Sequence, residues 1–139
     1  MIKVTGFDGK IHKFNFSKYR DRKNRAGKSQ YHIFARELIK ETFPSLSVYE
    51  EVTLPGSKRS GGKPLYADFF IPSRMIIIEV HGEQHYEYCH LFHKTKMKFF
   101  ESQKRDRDKI EWCEINNIQY LELRYNERDL WKSKIYYLR

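Results

Sequence analysis

The stretch from Tyr66 to His85, YADFFIPSRMIIIEVHGEQH, constrains this chain more than any other. Two apolar runs, 65–71 and 75–82, flank the turn signal Pro72-Ser73, so they are expected to be adjacent strands. Side chains alternate between the two faces of a strand. Ile76, Ile78 and Val80 therefore share one face, and Ile77, Glu79 and His81 share the other. The turn returns the first strand so that Asp68 falls opposite, or nearly opposite, Glu79. Two carboxylates and an imidazole are thereby gathered at one end of a greasy hairpin.

The rest of the chain supplies a frame for that hairpin. Ile2 and Val4, the dipeptide Asp8-Gly9, and then His12, Phe14 and Phe16 predict a hairpin over 1–16. A basic loop, KYRDRKNRAGK, follows. Ser29 is placed to cap a helix running to about Phe43, with Tyr31, Phe34, Ala35 and Leu38 as its inner stripe. A strand over 48–54, a basic glycine-rich loop over 55–63, the two central strands, a long polar helix over 92–116 and a strand over 118–124 come next. Asn126 is placed to cap a closing helix with Leu130, Trp131, Ile135 and Leu138 inside. This order predicts a single α/β domain with a mixed central sheet flanked by helices. Residues 1–28 form its N-terminal hairpin and basic loop, 29–125 its catalytic core and 126–139 its C-terminal helix.

Length and composition set the class. A chain of 139 residues suits one core, and 16% aromatic residues give it ample area to bury. The longest apolar run is too short to span a bilayer, the N-terminus lacks a signal-peptide pattern, and Cys89 and Cys113 make no disulfide framework. A soluble, cytoplasmic protein is expected, with no membrane partner. A net charge of +9 points to a polyanion, because each Lys or Arg set against a phosphate releases counterions. The expected contacts to double-stranded DNA are Arg20, Arg22, Lys23, Arg25 and Lys28 in the first basic loop, and Lys58, Arg59 and Lys63 in the second. Lys94, Lys96, Lys98, Lys104, Arg105 and Arg107 stud the long helix, where a merely solvated face is as good a reading.

Carboxylates as close as Asp68 and Glu79 repel unless a cation stands between them. A hard divalent ion, Mg²⁺ in the first instance, meets that need, polarises a phosphoryl oxygen and acidifies a bound water. His85 is placed for proton transfer, and Gly82 allows a sharp turn or close approach to a phosphate. Singly, each of these residues would be an ordinary strand-end acid or surface histidine; their combination favours catalysis. Asp106 falls on the helical face of Phe99, Ile110 and Cys113 and so points inward, where an acid needs a partner. That partner is either a catalytic histidine or, structurally, Lys109 or the basic loop. Asp108 is expected to point outward and to pair with a neighbouring base. Cys89, His90, His93 and Cys113 lack metal-ligand spacing, and zinc is not expected.

The pattern of acid, apolar hairpin and Glu79-Val80-His81-Gly82-x-x-His85 resembles the PD-(D/E)XK, or restriction-endonuclease-like, nuclease superfamily. Within it the closest likeness is to the very short patch repair endonucleases and the EDxHD homing endonucleases of phage. The likeness covers 29–125 and extends to Arg105-Asp106 on a helix followed by a last strand. It implies a restriction-endonuclease-like fold and a Mg²⁺-dependent DNA endonuclease of phage or mobile-element type. Asp68 and Glu79 would hold the metal, and His85, oriented by Asp106, would move protons. His81 would touch the scissile phosphate or a ligand water. The first helix would supply a glutamate, Glu37 or its rival Glu41. His81 stands where the superfamily has lysine, which implies that a lysine-type mechanism is out of reach. The rival functions are a non-catalytic DNA-binding module of the same fold and a nuclease acting on RNA or branched DNA. Whether one strand or both are cut depends on whether the chain forms a homodimer.

Overall fold

The computed structural model describes residues 2–17, 29–59, 62–83, 86–89, 93 and 95–138. The basic segment containing Arg20, Arg22, Lys23, Arg25 and Lys28 lies outside these residues, as does His85.

The elements follow the expected order. They are β1 (Ile2–Thr5), β2 (Ile11–Phe14), α1 (Gln30–Thr42), β3 (Tyr49–Thr53), β4 (Tyr66–Ile71), β5 (Ile76–His81), α2 (Lys96–Ile115), β6 (Gln119–Arg124) and α3 (Arg128–Tyr136). β1 and β2 pair alone; the other strands form one sheet in the order β3-β4-β5-β6. The first three strands of that sheet are antiparallel, and β6 runs parallel to β5. Parallel neighbours need a long crossover, which α2 provides. The result is a single α/β domain with a mixed four-stranded sheet.

Both faces of the sheet are covered. On one, Phe70 and Ile77 meet Trp112 and Cys113 of α2, with Val4 and Phe14 of the hairpin. On the other, Phe69, Ile76, Ile78 and Leu123 meet Ala35, Leu38 and Ile39 of α1, with Trp131 and Ile135 of α3. This two-sided cover is why Ile76, Ile77 and Ile78 are all 0% exposed.

The opening hairpin, outside the reach of the family likeness, is built into the core. Phe14 stacks on Phe70 with ring centroids 4.9 Å apart. Asn116, at the end of α2, accepts from the Thr5 amide at 2.6 Å and donates to the Thr5 carbonyl at 3.0 Å, so it occupies both polar groups of one residue of β1. Gly56 approaches Gly6 so closely that a Cβ there would sit 2.5 Å from the Gly6 Cα. The glycine at 56 thereby lets the hairpin approach the 55–59 loop.

Three local expectations need correction. The buried residues of α1 are His32, Ala35, Arg36, Leu38 and Ile39, while Phe34 is exposed. The stripe turns because Glu50, opposite Phe69 on β3, draws a base and an imidazole inward. Arg36 donates to both Glu50 oxygens at 2.8 and 2.9 Å, and His32 Nε2 lies 2.7 Å from Oε1. The helix expected from Phe92 takes its cap at Thr95, whose hydroxyl accepts from the Lys98 amide. Asn126 does not cap the last helix: a 3-10 turn over Tyr125–Glu127 intervenes, and Leu130 is 45% exposed while Trp131 and Ile135 are buried.

Candidate active site

The β4–β5 ladder runs through Phe69–Ile78, and the next residues outward are Asp68 and Glu79. There side chains take over from backbone. The Asp68 amide donates to Glu79 Oε2 at 2.6 Å, and the Val80 amide donates to Asp68 Oδ2 at 2.8 Å. Each carboxylate thus caps an amide of the opposite strand, which fixes both acids at one position along the sheet.

α2 crosses this face, carrying Lys109 one turn before Cys113 and three residues before Trp112, both buried. Lys109 Nζ donates to Glu79 Oε1. Glu79 is only 1% exposed. Burial, reinforced by the charge of Asp68, pushes its carboxyl up to about 8 against the pull of Lys109. Burial alone would depress the Lys109 ammonium, but the charges of Glu79, Asp68 and Asp106 outweigh it and the pKa is raised. Asp106, half-buried one turn earlier on the helix, adds to the charges acting on Lys109.

A second group lies beside the first. The β5–β6 register sets Glu79 beside Glu122 and His81 beside Arg124. His81, 1% exposed, has Nδ1 at 3.0 Å from Glu122 Oε1, and Nε2 at 3.5 Å from the Tyr120 hydroxyl and 4.0 Å from Glu79 Oε1. The Tyr86 hydroxyl donates to Glu122 Oε2 at 2.6 Å. Bonding to His81 and Tyr86 prevails over burial and holds the Glu122 carboxyl down at about 2. A carboxylate that accepts at Nδ1 puts the imidazole proton there and leaves Nε2 facing Tyr120 and Glu79.

The fold thus brings Asp68, Glu79, His81 and Asp106 together. It does not bring Glu37: that residue is exposed, on the side of α1 turned away from the buried stripe. Glu41 is also exposed, with its carboxylate 3.2 Å from Lys132. His81 lies beneath the surface and so is not presented to a phosphate. A lysine nonetheless stands beside Glu79, because Lys109 reaches it from the helix. Tyr86, Tyr120 and Glu122 were not expected at this site, and Lys109 was expected only as a structural partner of Asp106. Two signals were present: Lys109 lies three residues past Asp106 on the same helical face, and Glu122 stands between Leu121 and Leu123.

No protein-family model matches the chain, and no solved structure matches it. It is similar to the uncharacterized protein 307L of Invertebrate iridescent virus 6. The two are 34% identical over 74 residues, which is 53% of this chain and 38% of that protein. The chain therefore spans well under half the length of that relative.

Among the described residues no group of three or more His, Cys, Asp or Glu is arranged to hold a metal. Asp68 and Glu79 are two carboxylates, one of them buried and electrostatically disfavoured as an anion. Mg²⁺ commonly takes one or two carboxylates and completes its shell with waters and substrate phosphates. Cys89 and His93 instead bond one another locally, the Cys89 amide donating to His93 Nδ1 at 3.1 Å.

A cleft of 610 Å³ opens at Lys109, between the 57–66 segment and α2. Its walls carry Lys63, Lys98, Lys104 and Arg105. Arg59 also borders it, but its guanidinium is held by Asp108 at 2.9 Å and Glu111 at 2.7 Å and lies over the Phe7 ring. Arg59, expected to face DNA, is instead engaged within the fold, and Asp108 has the basic partner expected of it. Lys58 is exposed and faces a smaller hollow beside Asp8 and His12.

Proposed function

We propose that the chain is a Mg²⁺-dependent endonuclease of restriction-endonuclease-like fold, hydrolysing DNA phosphodiesters at Asp68, Glu79 and Lys109. The observation that carries this reading is the cross-strand carboxylate pair with an ammonium on it, at the end of a cationic cleft. The element order supports it: an acid on one strand, an acid on the next, then a helix and a last strand.

Asp68 and Glu79 would hold the ion, which when bound supplies a Lewis acid and a water of lowered pKa. Burial and the charge of Asp68 favour the protonated form of Glu79, so binding the ion would displace its proton. Lys109 would present its ammonium to a phosphoryl oxygen and stabilise the charge that grows there. His81, fixed by Glu122, backs Glu79 through Nε2 and acts as a positioning residue. Asp106 adds to the charges of Glu79 and Asp68 that favour the Lys109 ammonium.

The test is nicking of supercoiled plasmid with Mg²⁺, beside EDTA and the variants Asp68→Asn and Lys109→Met. Metal-dependent cleavage lost in both variants supports the enzyme; cleavage that survives Asp68→Asn removes the assignment. One observation favours a second reading, a non-catalytic DNA-binding module: Lys109 donates to Glu79 Oε1, an oxygen that a metal would need. A Mg²⁺ titration without heat, together with salt-sensitive DNA binding, would establish that reading instead.

A further inference from the structure

Lys63, Lys104 and Arg105 line the cleft at Lys109, and none has an ion-pair partner among the described residues. The other cations of the cleft have carboxylate partners: Lys98 has Glu101 at 3.8 Å, Arg59 has Asp108 and Glu111, and Lys109 has Glu79. Three uncompensated cations in one concave surface mark a place for successive phosphates rather than a single ion.

The same cleft contains Tyr66, which is 52% exposed at the start of β4. An exposed aromatic on a strand edge is unremarkable alone. Its position is what matters. Tyr66 is two residues before Asp68, hence on the same face of the strand. A ring on the site's own face, beside unpaired cations, is the combination that single-stranded nucleic acid uses: cations follow the backbone and the ring stacks a base. The cleft volume lies in the range that encloses a small ligand, about 300–1,000 Å³, so it takes an unstacked nucleotide or two.

Resting on the nuclease reading, we infer that Tyr66, Lys63, Lys104 and Arg105 form a subsite for an unpaired DNA strand next to the scissile phosphate. The preferred substrate then carries single-stranded or unpaired character at the cleavage site. A base within intact duplex stays in its stack and does not reach Tyr66.

The test separates binding from cleavage. Asp68→Asn protein in EDTA is titrated, by fluorescence anisotropy, with one labelled DNA presented as single strand, as blunt duplex and as duplex with an unpaired central patch. The unpaired forms should bind about tenfold more tightly than the duplex, the scale of one stacked base. Adding Tyr66→Ala should erase that preference, and Tyr66→Phe, which keeps the ring, should retain it. Lys63→Ala with Lys104→Ala should weaken all three forms and flatten their salt dependence. Equal affinity for duplex and single strand, or a preference untouched by Tyr66→Ala, overturns the inference. If the preference appears but wild-type protein with Mg²⁺ cleaves none of the forms, the nuclease reading fails and the subsite stands. Metal-dependent cleavage without the preference has the opposite meaning.

Discussion

Lys109 and Glu79 are hydrogen-bonded in the interior although one comes from the crossover helix and the other from the central strand it leaves. On β5 the position two past Glu79 is taken by His81, which turns to Glu122 instead. The ammonium therefore arrives from the layer above the sheet.

Removing that ammonium should expose the cost of the acid beneath it. Lys109→Met is expected to destabilise the fold by about 3 kcal/mol at pH 9, where Glu79 is ionised and left without its counter-charge. At pH 6 the loss should be clearly smaller, because Glu79 is then protonated. Urea denaturation at both pH values checks this. Adding Glu79→Gln should restore most of the loss, and a double variant no better than Lys109→Met would count against the pairing.

Glu79 and Glu122 should leave opposite marks on stability against pH. Glu79 titrates at about 8 folded against an ordinary 4.5, so between these values the unfolded chain holds fewer protons and stability declines as pH rises. Glu122 titrates at about 2 folded, so its contribution is complete above 4.5 and disappears as pH falls toward 2. The raised pKa of Lys109 acts only above the ordinary lysine value of 10.5 and leaves both windows alone. Glu79→Gln should flatten the slope between 4.5 and 8, and Glu122→Gln the slope on the acid side, in urea midpoints taken across pH.

Mg²⁺ binding should be coupled to proton release. At pH 7 most Glu79 is protonated, and the ion takes the carboxylate form. Calorimetric heats measured in buffers of different ionisation enthalpy should report nearly one proton released per ion at pH 7, and little at pH 9. Asp68→Asn should abolish the heat; unchanged binding in that variant would place the ion elsewhere.

The His32–Arg36–Glu50 cluster should matter for stability alone. It is buried on the α1 side of the sheet, opposite the face of Asp68 and Glu79. Glu50→Ala leaves a buried guanidinium uncompensated and is expected to cost about 3–5 kcal/mol in urea denaturation. Mg²⁺ heats and DNA affinity of the folded variant should match wild type.

The parts of this fold that were legible in the sequence are those written in local periodicity. Strand alternation placed Asp68 and Glu79 on one face, the Pro72-Ser73 turn joined their strands, and Ser29 capped α1 with its hydroxyl. Harder to see was anything set by pairing between distant segments. The expected stripe of α1 missed Arg36 because an arginine goes inward only when a carboxylate waits there, and Glu50 lies on another strand. Glu37 was assigned from family likeness, and the helix rotates it away. Lys109 and Glu122 were hidden for the same reason as Arg36: a charged residue on an inner face is legible only once its partner is known. Nothing in the segment containing Glu122 announces that its register sets it beside Glu79.

The spacing of the site along the chain has a further consequence. Glu79 precedes Lys109 by 30 residues, with the whole crossover between β5 and β6 still to be laid down. A nascent chain emerging from its N-terminus presents both acids before the amine that quiets them has been synthesised. The crossover is therefore a timing element as well as a connection: Glu79 meets its ammonium only once the helix that carries Lys109 docks on the sheet.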